Sequence, residues 1–160
     1  MMKPTVYIET SIVSYYTSRP SRDLVVTAHQ QLTHEWWERH RPHLEAYIST
    51  LVIQEAEAGD TSAAKGRLEA IEDLPVLELN EDVLNLAKSL VEMGPIPAEF
   101  FEDALHIAVA AVNGMEFLLT WNCHHINNPR MRPDIVRVVE TFGYECPVIC
   151  TPDEFMGGAL

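Results

Sequence analysis

Short apolar runs alternate with longer helical patterns along the whole chain, and this alternation constrains the fold more than any other feature. "TVYIE" (5–9) predicts a first strand. The turn-rich "TSRPSRD" separates it from apolar residues at helical intervals over 24–40. "EAYIST" predicts a second strand, followed by a helix over 51–58. "GDTSAAKGRLEAI" opens another helix, with Asp60, Thr61 or Ser62 as its N-cap. "LPVLEL" predicts a third strand, and Asn80 caps a helix running to about Met93. "GPIPAEF" breaks the chain before a helix from Ala98 to Asn113 that stops at Gly114. "EFLLTW" predicts a fourth strand, 134–142 a last helix and "CPVICT" a last strand.

That order predicts a three-layer α/β/α sandwich with a mostly parallel central sheet of about five strands. One domain is expected over 1–155, with 156–160 as a flexible C-terminal tail. In such sheets ligands bind beyond the carboxyl ends of the strands, where strand order reverses. The residues directly after each strand are therefore the ones that bear on function.

The longest weakly polar run, "ALHIAVAAV", falls far short of the roughly 20 residues needed to span a bilayer. Lys3, Pro4 and Glu9 interrupt any secretion signal, so the expectation is a cytoplasmic protein with no membrane association. Cys123, Cys146 and Cys150 form no framework of paired spacings, and reduced thiols are expected. The formal charge of −13 opposes long-range attraction of nucleic acid. Screening beyond about 8 Å still leaves room for a local basic patch.

Acids recur where the strands end. Glu9 follows the first strand, Glu55 lies in the helix after the second, and Asn122 follows the fourth. Asp103 sits beside the apolar stripe Phe101, Ala104, Leu105, Ala108 and Val112. A carboxylate so placed is either buried, which is costly unless it is paired or holds a metal, or an exposed first-turn acid favoured by the helix dipole. Carboxylates converging without basic neighbours need a divalent cation, and an all-oxygen shell suits Mg²⁺ or Mn²⁺. Glu57 and Glu102 lie nearby but are turned away by helical geometry.

Four segments in this order resemble a PIN-domain nuclease, the fold of the VapC-type toxins. They are "YIETS" with Glu9, "LVIQEAEAG" with Glu55, "EDALHIAVA" with Asp103, and "LLTWN" with Thr120 and Asn122. Glu9 stands where the family usually has Asp, and Asn122 is neutral where many relatives carry an acid. The resemblance implies metal-dependent hydrolysis of RNA, with Glu9, Glu55, Asp103 and Asn122 as catalytic residues. Glu9, Asp103 and Glu55 would hold the metal, Mg²⁺ or Mn²⁺, while Thr10, Ser11 and Thr120 orient the carboxylates from behind. It also implies a toxin of a toxin–antitoxin pair, with a basic antitoxin as protein partner and pairing as a homodimer. The alternative is a catalytically weak or inactive PIN module that binds RNA or protein. A nucleotide-binding domain on similar architecture would want a glycine-rich loop after the first strand, and "ETSIVSYY" has none.

Arg19, Arg22, Arg130 and Arg132 are four of only 11 basic residues, and they fall on two connections leaving this rim. They form a candidate phosphate clamp, against the plainer reading of solvated loop arginines. His106, three residues after Asp103, is read as a structural histidine able to reach that carboxylate. Consecutive Cys123, His124 and His125 lack the spacing of a zinc site. Trp36 and Trp37 are read as a core and rim pair.

Overall fold

The computed structural model describes residues 2–157. It contains a five-stranded, wholly parallel sheet in the order β3-β2-β1-β4-β5. The strands are β1 (Thr5–Ile8), β2 (Glu45–Ser49), β3 (Val76–Leu77), β4 (Phe117–Leu119) and β5 (Val148–Cys150). The helices are α1 (Thr10–Thr17), α2 (Leu24–Glu35), α3 (Thr50–Glu57), α4 (Thr61–Ile71), α5 (Glu81–Glu92), α6 (Phe101–Val112), α7 (Arg132–Thr141) and α8 (Pro152–Phe155). The α/β/α expectation holds.

β1 occupies the centre, with Val6, Tyr7 and Ile8 buried and paired to β2 on one side and β4 on the other. The chain builds outward from β1 through β2 to β3, then crosses back to place β4 on β1's other edge. Strand order thus reverses between β1 and β4, and the crevice beyond their carboxyl ends is where this topology places a ligand. Helices α1, α3 and α4 pack on one another, and α5 packs against α6 and α7. Every residue of α6 from Ala104 to Ala111 is buried, so its apolar run is a core wall rather than a one-sided stripe.

Capping residues fix where the helices start. Asp23, Ser49, Asp60 and Asn80 each accept a backbone N–H of the first turn. Gly114 closes α6 at φ +69°, a conformation that any side chain would strain.

Several elements differ from the sequence expectation. β3 keeps only two of the six residues of "LPVLEL", because it is an edge strand paired only to β2 and Pro75 has no N–H to give a ladder. α2 ends at Glu35 and continues as a π-helical turn over Trp36–His40. Both tryptophans are buried rather than one, since Tyr16 stacks on Trp37 at 4.5 Å and Phe155 meets Trp36 edge-on at 6.1 Å. A single 3₁₀ turn, Ala98–Phe100, precedes α6. α8 is an additional helix, started by a Thr151–Glu154 capping box. Of the five residues read as a tail, Met156 packs against the core, Gly157 closes α8, and 158–160 lie outside the described residues. Among the described residues all three cysteines are free, and no helix is long and apolar enough to cross a membrane.

Candidate active site

The end of β1 places Glu9 in the crevice. It is the N-cap of α1 and only 7% exposed. A buried carboxylate demands compensation, and three donors supply it. Ser11 Oγ and Thr120 Oγ1 each donate to Glu9 Oε1 at 2.5 Å, and the Ser11 N–H donates to Oε2 at 3.1 Å. Thr120 comes from the neighbouring strand end of β4, so the β1–β4 pairing itself aligns acid and hydroxyl. The Trp121 N–H donates to Ser11 Oγ at 2.8 Å and locks that serine in turn.

Glu55 projects from α3, which follows β2. Thr10 Oγ1 donates to its Oε1 at 2.5 Å, and His106 Nε2 lies 2.7 Å from the same oxygen. His106 is 1% exposed, in the wall helix α6. Its Nδ1 meets Tyr7 Oη at 2.7 Å, and Tyr7 Oη meets Ser49 Oγ at 2.8 Å. The imidazole is therefore held on both nitrogens by groups from β1 and α3.

Burial alone would lower the His106 pKa. The Glu55 hydrogen bond and the charges of Glu9, Glu55 and Asp103 outweigh burial and raise it. Burial likewise pushes Glu55 up, but the hydrogen bond and charge of His106, with the Thr10 hydrogen bond, outweigh it and lower the Glu55 pKa from its ordinary value. Burial drives the Tyr7 hydroxyl well above its usual value, and the two glutamates add to the rise. Tyr7 is a neutral hydrogen-bonding post.

Glu9, Glu55 and His106 each present a ligand atom, and these atoms lie within 4.8 Å of one another. Asp103 stands one helical turn before His106 but outside this trio. Its Oδ2 meets His125 Nδ1 at 3.0 Å, and both side chains are 19% exposed. Asn122 spends its side-chain oxygen on the loop, accepting the N–H groups of His124 and His125 at 3.2 and 3.1 Å. Its own N–H donates to Thr120 Oγ1 at 2.9 Å. The crevice thus has an inner corner, Glu9–Glu55–His106, and an outer corner, Asp103–His125, with Asn122 and Thr120 between them. Glu57 and Glu102 are exposed.

The arginines divide. Arg19, Arg22 and Arg130 are exposed. Arg19 lines a surface depression with Ser14, Thr17, Asp60 and Arg67, a lining that includes none of Glu9, Glu55 and Asp103. Arg132 turns inward, donating to Asn127 Oδ1, and Asn127 donates to Glu154 Oε1 at 2.8 Å. This inward network fastens the loop after Asn122 to α8, so Arg132 is spent on structure.

The sequence reading misses the partners of two histidines: His106, expected to reach Asp103, meets Glu55 instead, and Asp103 is met by His125. The partners of His106 lie 51 and 99 residues away, and only the spacing from Asp103 hinted at its face. His125 is discounted in a run of consecutive metal-binding residue types, yet it alone of the three reaches Asp103.

No protein-family model matches the sequence, and no curated protein matches it significantly. Solved structures do. VapBC2 from Rickettsia felis, bound to a DNA fragment from its promoter, superposes with a TM-score of 0.59 at 15% identity, covering 92% of this chain and 98% of that one. VapC20 of Mycobacterium tuberculosis, a sarcin–ricin loop cleaving toxin, superposes with a TM-score of 0.56 at 15% identity. That match covers 78% of this chain and 95% of the other. What is shared at this identity is the fold alone, a PIN-like α/β/α sandwich.

Proposed function

We propose that the chain is a metal-dependent endoribonuclease that hydrolyses RNA phosphodiester bonds and serves as the toxin of a toxin–antitoxin pair. The observation that carries this reading is the inner corner. Two carboxylates and an imidazole from three separate elements converge within 4.8 Å in the crevice where strand order reverses. Among the described residues no Lys or Arg forms an ion pair with Glu9, Glu55 or Asp103. The fold shared with a toxin that cleaves the sarcin–ricin loop supports the substrate class.

The donor set fits a divalent cation: Glu9 and Glu55 would hold it, with Asp103 as the third carboxylate at the outer corner. The imidazole beside them suits Mn²⁺ at least as well as Mg²⁺. Such an ion supplies charge neutralisation and Lewis-acid polarisation of phosphate and water. The chain's own part is preorganisation. Ser11, Thr120 and Thr10 fix the carboxylates before any ligand arrives, so no reorganisation is needed at the moment of reaction. His106 keeps Glu55 ionised and aimed into the crevice.

Of the four arginines read as a phosphate clamp, Arg19, Arg22 and Arg130 are exposed and available to RNA phosphates. The acidic surface suits a basic antitoxin segment, and self-association as a homodimer belongs to the same reading. The turn of Asn122 toward its own loop favours the second reading, an RNA-binding module of low activity, because that side chain then has no role at the reacting phosphate. Cleavage of single-stranded RNA with and without Mn²⁺ separates the two: the nuclease cuts only with metal, and the module binds without cutting.

A further inference from the structure

The outer corner carries an aromatic ring that the core does not use. Phe100, in the 3₁₀ turn that opens α6, is 41% exposed. Its ring stacks on the His125 imidazole, with centroids 4.1 Å apart and planes 29° from parallel. His125 is itself fixed on two sides, by Asp103 Oδ2 at its Nδ1 and by Asn122 Oδ1 at its N–H. From there the bonds run through the Asn122 N–H to Thr120 Oγ1 and on to Glu9 Oε1. An unbroken series of hydrogen bonds thus ties the Phe100–His125 pair to the acid at the heart of the crevice.

We propose that Phe100 and His125 form a stacking platform for one nucleobase of single-stranded RNA next to the phosphate that is cut. The inference rests on the nuclease reading and deepens it by naming the form of the substrate. An exposed aromatic face beside a site for phosphate chemistry offers a base what water cannot, and stacking tolerates any base because each has a π-face. A duplex covers those faces, so the platform selects unpaired RNA. A protein segment seated on Phe100 would gain the same apolar contact. It would have no need of a ring held by the groups that hold the catalytic acids.

The test measures binding of a short labelled single-stranded RNA by fluorescence anisotropy, with Ca²⁺ replacing Mn²⁺ to prevent turnover. Wild type, Phe100→Ala and Phe100→Trp are compared on the intact strand, on the same strand with one abasic position, and on a duplex. Wild type should prefer the single strand. Phe100→Ala should weaken it about tenfold, within the range for loss of one stacked base, and Phe100→Trp should restore it. An abasic site at the stacked position should cost wild type about as much and cost Phe100→Ala little further. Such non-additivity comes from direct contact and not from a damaged fold. Equal binding by wild type and Phe100→Ala, fully additive losses, or equal affinity for single strand and duplex would each overturn the platform. Mn²⁺-dependent cleavage by the wild type is scored separately. Cleavage without the Phe100 effect removes only the platform, and stacking without any cleavage removes only the nuclease reading.

Discussion

The two corners of the crevice are built from similar parts, two carboxylates and a histidine at the inner one and one of each at the outer, yet they differ in how tightly the fold holds them. At the inner corner Glu9 and His106 are almost wholly buried and Glu55 is about a third exposed, and every partner comes from a strand, a strand end or a helix. At the outer corner Asp103 leaves α6 near its first turn and meets a histidine from a loop, both partly open to water. Hydroxyl-clamped carboxylates are preorganised, whether buried like Glu9 or about a third exposed like Glu55, whereas a pair resting on a loop histidine can change partners when a ligand arrives. On the nuclease reading, cation affinity is therefore assigned to the inner corner and contact with substrate to the outer one.

The largest effect should come from removing charge at either corner. Glu9→Gln and Asp103→Asn should each lower Mn²⁺-dependent RNA cleavage at least about a hundredfold, as for loss of a major electrostatic contribution. Calorimetric titration with Mn²⁺ should then separate them. Glu9→Gln and Glu55→Gln should weaken the metal by about tenfold or more, at the scale of disturbed ligands and their supports, and Asp103→Asn should weaken it less. Equal losses of affinity would erase the distinction between the corners.

Next in size is the structural cost of the inner histidine. His106→Ala strips partners from Tyr7 and Glu55 in a buried setting, and about 3 kcal/mol of destabilisation is expected on thermal unfolding in chelator. His125→Ala, at the partly exposed corner, should cost well under half of that.

A smaller signature lies in the pH dependence of the metal-free protein. The raised His106 pKa contributes stability that is fully present below its ordinary value of 6.5 and is lost as pH rises through the folded value. The lowered Glu55 pKa contributes stability present above its ordinary value of 4.5 and lost as pH falls through the folded value. Melting temperature in chelator should therefore crest between about 4.5 and 6.5 as far as this pair controls it. His106→Gln should flatten the alkaline flank. An unchanged flank would mean that the imidazolium is not what the inner corner stabilises.

The smallest effects concern the arginines. Arg130→Ala should reduce the salt dependence of RNA binding by about one phosphate contact and leave stability alone. Arg132→Ala should do the reverse, because its guanidinium is engaged with Asn127.

Strand-by-strand alternation makes the sheet legible in the sequence, because period-two and period-3.6 patterns report burial directly. It overruns β3, where an edge strand pairs over only two residues, and misses α8, too short for any periodicity to show. The place of Glu9 is also legible, since the end of a strand fixes where the adjoining residue lies, whereas Ser11 and Thr120 enter only through the family resemblance. His106 and His125 are not legible. Their roles depend on Glu55 and Asp103 being brought near across 51 and 22 residues of chain, and no local spacing encodes such distances. The carboxylates are readable as a set, but their division into an inner and an outer corner emerges only once α3, α6 and the loop after β4 are in place.

The nuclease reading of this crevice depends on the inner corner holding a cation that RNA cleavage requires. Cleavage of a labelled single-stranded RNA by wild type and Glu9→Gln, each in chelator and then with Mn²⁺ restored, tests it most directly. Wild type should be silent in chelator and regain full activity with Mn²⁺, while Glu9→Gln stays at least about a hundredfold slower. Metal-independent cleavage, or equal rates for the two proteins, would contradict it.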